Sequence, residues 1–146
     1  RDLIPLARTY GVGLIPWSPL AGGLLTGKYT RNAPPPPDTR FAGMADNPIY
    51  QRRWREGVFD VVEALAPMAE AKGCTISQIA LQWTVVQFGV SSSIIGPRTM
   101  EQLEDNLGAL DVTLTDEDRA AIDRIVPPGG MVSPFYEADF GPHWYR

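Results

Sequence analysis

The chain has 146 residues, 44% hydrophobic and 21% charged, which suits one globular domain or part of a larger one. Its net charge of −4 argues against nucleic acid as the main partner, because a phosphate backbone calls for clustered Lys and Arg. No apolar run approaches the ~18 residues of a membrane span, no basic-then-apolar leader opens the chain, and the single cysteine, Cys74, has no partner for an internal disulfide. Together these features point to a reducing, cytoplasmic setting and no membrane partner.

The first residue is Arg1, and the sequence from Asp2 to Arg8 already reads as structured, so the expectation is a chain that starts inside a fold. Leu3, Leu6 and Ala7 predict a helix end over 2–10. Gly11 to Gly13 break it, and Leu14-Ile15-Pro16-Trp17 reads as a buried parallel strand. Ser18 to Lys28 follow as a glycine-rich loop. Residues 30–50 are expected to be irregular, and the run Pro34 to Pro37 imposes extended backbone and forbids a helix there. A loop of this length is either a functional cover or disordered.

Val58, Val61, Val62, Leu65, Met68 and Ala69 give the apolar stripe of a helix from about Arg53 to Lys72. Pro67 predicts a kink or break late in it, and Gly73 a C-terminal cap. Cys74 reads as a small packed residue. Thr75 and Gln78 have capping-box spacing, opening a helix that continues through Val86. Ser91 to Ile95 reads as a second buried strand, with Gly96-Pro97-Arg98 as its exit turn. Thr99 and Gln102 form another capping box, before a helix to about Ala109. Thr115 to Asp118 open a last helix to about Val126, their acidic side chains complementing the helix dipole. Residues 127–146 are a tail rich in Pro, Gly and aromatics.

Strands separated by helices imply an α/β fold with parallel pairing and right-handed crossovers. Two strands do not complete such a sheet, whose edges call for further strands.

Two loops carry chemistry. Gly22-x-x-x-x-Gly27-Lys28 matches the start of a P-loop, but Tyr29 stands where the magnesium-binding Ser or Thr belongs, so that assignment is rejected. Gly22 and Gly23 still let backbone approach a phosphate, and Lys28 can reach one; taken alone, the loop reads more simply as a glycine-rich connector with a solvated lysine. In the second loop Gly96 frees the backbone, Arg98 offers a phosphate-matching fork, and the helix starting near Thr99 presents its amides. Gln102, Asp105 and Asn106 share one helix face and suit a sugar and an adenine. An ordinary capped surface helix would look the same. The pair says more than either loop, because (β/α)₈ barrels commonly hold phosphate between the loops after their last two strands.

The run Trp17-Ser18-Pro19-Leu20-Ala21-Gly22-Gly23-Leu24-Leu25-Thr26-Gly27-Lys28 resembles the seventh-strand loop of the aldo-keto reductases. The run from Ser92 through Gly96-Pro97-Arg98-Thr99 to Asn106 resembles that family's NADP-binding segment after the eighth strand. The resemblance covers nearly the whole chain. It implies the C-terminal portion of a (β/α)₈ TIM barrel: the last two βα units plus the C-terminal helix and tail. Residues 1–126 would be the NADP-binding half, and residues 127–146 a tail whose Phe135, Tyr136, Phe140 and Trp144 either line the substrate pocket or pack over the barrel. It further implies an oxidoreductase that interconverts carbonyls and alcohols with NADP(H). Trp17 would stack on the nicotinamide; Ser18, Leu20 and Gly22 would wrap the pyrophosphate, with Lys28 nearby. Gly96 and Arg98 would meet the 2′-phosphate, and Gln102, Asp105 and Asn106 would complete the adenosine site. Asp105 departs from the Glu found in many relatives.

The family's catalytic Tyr, Asp, Lys and His motifs belong to earlier strands, and none occurs here, so no catalytic residue is assigned; His143 reads as tail packing. The expectation is therefore a reductase whose catalytic residues lie upstream of this chain. The rivals are a non-catalytic NADPH-binding or regulatory module, and an inactive truncated product.

Overall fold

The computed structural model describes residues 3–133; Phe135, Tyr136, Phe140, His143 and Trp144, assigned above to the pocket wall or to tail packing, lie outside them. After helix α1 (Leu3–Tyr10) the chain runs extended through Leu14–Trp17. This stretch pairs in parallel with residues 90–94 at two isolated bridges, Leu14 with Val90 and Trp17 with Ile94. The Leu14 N–H donates to the Gly89 carbonyl at 2.8 Å, Ser91 N–H to the Leu14 carbonyl at 2.8 Å, and Ile94 N–H to the Pro16 carbonyl at 2.9 Å.

The expected parallel pairing is thus present, but the two expected strands are corrected in two respects. They are bridged extended segments rather than continuous strands, because Pro16 brings no N–H to the ladder and each segment has one paired neighbour among the described residues. They are also not buried. Ile15, Trp17 and Ile94 are 62%, 58% and 52% exposed, so this face is bare among the described residues.

The segment after Lys28 is mostly turns, with no helix at the prolines, and the expected irregular stretch 30–50 is corrected at its end, where a short helix forms, α2 (Pro48–Arg53). Pro48 sits in its first turn, where a missing N–H does no harm. The helix expected from Arg53 therefore starts later, as α3 (Glu56–Lys72). The break falls where Trp54 turns inward, stacked on Tyr50 at 4.9 Å and edge-on to Tyr29 and Phe59 at 5.2 Å each. Pro67 does not break α3, which continues through it to Lys72. It is exposed, so the carbonyl it leaves without a donor faces the solvent side of the helix. Gly73 closes α3 at φ 63°, its N–H bonded to the carbonyls of Ala69 and Glu70.

Helix α4 (Ile76–Val85) opens with both halves of the Thr75–Gln78 capping box. Helix α5 (Met100–Leu107) tightens into a 3-10 turn, Gly108–Asp111, and α6 (Asp116–Ile125) follows. The Thr115–Asp118 pair at its start is a full capping box, beyond the dipole role expected of its acids.

Two cores lie along α3. Toward its C-terminus, Leu65 and Ala69 pack with Ile79 of α4 and with Val112 and Leu114, and half-buried Cys74 joins this cluster as expected. Toward its N-terminus, Val58 and Phe59 pack with Leu24, Tyr29 and Phe41 from the loops. Arg31 secures the loop side from outside, reaching Glu56, Asp60 at 2.6 Å and Glu63 at 3.0 Å on α3.

Helices α3 and α6 are joined by Lys72 and Asp118, 2.6 Å apart, with both side chains largely covered. The hydrogen bond from Lys72, seconded by that from the Thr115 N–H, holds the Asp118 carboxyl below the usual carboxylate range against the opposing effect of burial. A depressed folded pKa stabilises the fold above the unfolded value of about 3.9 and loses that stabilisation as pH falls through the folded value. Asp118→Asn should therefore be less stable than the wild type at pH 7, with the gap in urea midpoint closing as pH falls below about 4. A gap that stays constant to pH 3 would remove this role from Asp118.

Candidate nucleotide-cofactor site

Parallel pairing sends both extended segments out at the same end of the molecule, so their exit loops face each other. The first loop winds into a 3-10 turn, Ala21–Thr26, with unusual backbone. Ser18 and Ala21 adopt φ of 58° and 51°, and Gly22 and Gly23 adopt 73° and 100°. Left-handed conformations at non-glycine residues are strained, and such strain gathers at ligand clamps. The glycines also meet tight space. A Cβ at Gly23 would lie 2.9 Å from Lys28 Nζ, and one at Gly22 would lie 3.4 Å from Phe41 Cζ and Arg53 Nη1. The ammonium of Lys28 thus folds back over the glycine turn, 5.2 Å from the centre of the Tyr29 ring.

The facing wall is Gly96-Pro97-Arg98 and the start of α5. Gly96 lies outside the left-handed region, which corrects the expectation that it frees the backbone; a Cβ there meets nothing within 4 Å, so what it leaves is open space. The Thr99 hydroxyl caps the Gln102 N–H at 3.2 Å, but the expected reciprocal half of this capping box is absent. Gln102 Oε1 reaches one residue further and accepts from the Arg98 N–H at 2.8 Å, fixing the turn instead of the cap. Arg98 Nη2 crosses to the proline loop and donates to the Asp38 carbonyl at 3.1 Å. Asp105 is tied to α4: its carboxylate accepts from Thr75 Oγ1 at 3.1 Å and from Gln78 Nε2 at 3.2 Å, and Gln78 also holds its carbonyl at 2.8 Å. It is first a staple between α4 and α5, with acceptor capacity left over.

Between the two walls lies one cavity of about 650 Å³, within the range that holds small ligands. All ten residues expected from the sequence line it: Trp17, Ser18, Leu20, Gly22, Lys28, Gly96, Arg98, Gln102, Asp105 and Asn106. Arg40, Ser77 and Thr26 line it as well and were missed. Arg40 comes from the far end of the proline loop, and its only signal was a basic residue closing a candidate cover. Ser77, only 6% exposed, is brought in by the first turn of α4 and had no local signal. The lining charges are Lys28, Arg40 and Arg98 against the single carboxylate Asp105, so a locally cationic site sits in a chain of net charge −4. No Tyr or His belongs to the lining among the described residues.

This arrangement suits a long, doubly anionic ligand with a planar end. Along one wall stand cations and a strained glycine turn, on the other a helix start with Arg98, groups of the kind that bind phosphate, and the half-exposed Trp17 ring lines the cavity as well.

The aldo/keto reductase family profile matches residues 1–127. Over 111 residues the chain is 39% identical to a probable voltage-gated potassium channel subunit beta of Arabidopsis thaliana, covering 76% of this chain and 34% of that protein. It is 35% identical over 136 residues to the uncharacterized oxidoreductase YrpG of Bacillus subtilis (strain 168), covering 92% and 39%. It is 33% identical over 130 residues to the L-glyceraldehyde 3-phosphate reductase of Escherichia coli O157:H7, covering 88% and 38%. The chain spans between a third and two fifths of the length of these curated relatives. A match over so much of the chain, on top of a cavity built from the two loops that carried the resemblance, settles the family: the chain belongs to the aldo/keto reductases.

Proposed function

We propose that this chain is the NADP(H)-holding C-terminal part of a (β/α)₈ barrel reductase that interconverts carbonyl compounds and alcohols in the cytoplasm. The observation that carries this reading is the convergence of all ten sequence-assigned residues on one cationic cavity. The bare apolar face at Ile15, Trp17 and Ile94 supports the barrel part of it, because further strands would cover that face.

When bound, the nicotinamide supplies the hydride. The residues of this chain bind and orient. Trp17 offers a flat ring to the nicotinamide, and Lys28 with Arg40 neutralises charge beside Gly22 and Gly23. Arg98 spends one N–H on Asp38 and keeps the rest of its fork for a 2′-phosphate. The acid that protonates the forming alkoxide comes, in this reading, from sequence outside this chain.

Arg98→Ala should weaken NADPH binding about 10- to 100-fold, the effect of losing charge-assisted hydrogen bonds, while NADH changes by less than about threefold. Equal losses for both cofactors in a titration would sink the role given to Arg98. Trp17→Ala should abolish most of the quenching of protein fluorescence on NADPH binding. Full quenching in that variant would make another tryptophan the stacking partner.

A second reading is a binding or regulatory subunit that holds NADPH without turning it over. It is favoured by the identity of 38–39% to proteins named as potassium channel beta subunits. The full-length natural protein, mixed with NADPH and a panel of aldehydes and ketones, decides between the two. Oxidation of NADPH over repeated turnovers supports the reductase, and tight binding without oxidation supports the subunit.

A further inference from the structure

Arg53 ends α2 half-buried, and among the described residues no acid pairs with it. Burial, and then repulsion from Arg40 and Arg52, push its guanidinium below the ordinary arginine value. An arginine kept for structure normally meets a carboxylate, because a buried charge without one is destabilising. Arg31 shows that arrangement in the same molecule, with three acids around it. Arg53 is instead placed among cations, directly behind Gly22. Its Nη1 would stand 3.4 Å from a Cβ at that position, and Arg40 Cδ 3.6 Å from it. Gly22 belongs to the cavity wall, whereas Arg53 does not itself line the cavity; it stands behind that wall, beside Phe41 Cζ, which is as near to the Gly22 position.

We propose that Arg53 is a further anion-binding residue of the cavity, holding a diphosphate group at the Gly22–Gly23 turn from behind the glycine. The assignment deepens the dinucleotide reading above and rests on it. Three cations, Lys28, Arg40 and Arg53, gather at this turn, which matches a bridged diphosphate with two charges. The Arg98 end has one arginine and one helix start, which matches a single phosphate. The anion relieves the repulsion between Arg40 and Arg53, so the site is least comfortable empty and gains most from a doubly charged ligand.

The test uses the full-length natural protein with NADPH, inorganic pyrophosphate and 2′-AMP as probes, read by calorimetric titration. Arg53→Met should weaken pyrophosphate and NADPH about tenfold, as loss of one charged contact does, and leave 2′-AMP within about twofold. Its ligand-free Tm should be equal to or above that of the wild type, since a like-charge contact is removed; a purely structural arginine would lower it. Unchanged pyrophosphate affinity, an equal loss for 2′-AMP, or a lowered Tm with unchanged affinity each overturns the proposal. If Arg53→Met does not fold, Arg53→Gln carries the same expectations and the same refutations. A wild type that binds pyrophosphate but not NADPH defeats the dinucleotide reading, and Arg53→Met then decides Arg53 on pyrophosphate alone. Equal NADPH affinity in wild type and variant defeats the Arg53 assignment and leaves the reading standing. A wild type that binds neither probe overturns both.

Discussion

The site depends on two parallel bridges. Leu14 with Val90 and Trp17 with Ile94 align the two extended segments so that both leave the pairing at the same end. An antiparallel register would send their loops to opposite ends, and the glycine turn would never face Arg98. The rest of the fold holds this pairing in place. Helix α4 packs on α3, on α5 and on both 3-10 turns, so the wall that carries Lys28 and the wall that carries Arg98 are tied to one frame.

Charge is distributed with the same economy. On the outside, Arg31 is saturated by three carboxylates and fixes the start of the proline loop to α3. Inside, Arg40 and Arg53 have no acid among the described residues and crowd the glycine turn. Lys28, folded back over Gly23, adds a third charge. A chain of net charge −4 therefore presents a cationic pocket because most of its acids are placed elsewhere, on α3 and α6 among others, and Asp105 of α5 is the one carboxylate in the lining. The proline loop closes the arrangement, since the Asp38 carbonyl near its tip meets Arg98 across sixty residues of sequence.

Local signals in the sequence were legible where the physics is local. The cap at Thr75, the helix start at Thr115 and the stop at Gly73 are set by groups three or four residues apart, and they stand where the pattern placed them. Where a distant group competed, the pattern misled. Trp54 is drawn into an aromatic cluster, and the helix expected from about Arg53 starts only at Glu56. Pro67 is tolerated because it faces solvent, a fact no helical spacing reveals by itself. Gln102 completes the Arg98 turn instead of the Thr99 cap, because the turn amide lies within its reach and needs an acceptor.

The sequence by itself singled out the two loops and ten of the residues that line the cavity, since glycines, a lysine, an arginine fork and a helix start are readable over short spans. Only the tertiary structure decided that these loops share one cavity, that Arg40 and Ser77 join it, and that Arg53 stands behind Gly22. It also decided that Asp105 serves first as a staple to α4. The physical reason is range: conformational preference acts over a turn or two of chain, while charge placement and shared walls depend on segments tens of residues apart meeting in space.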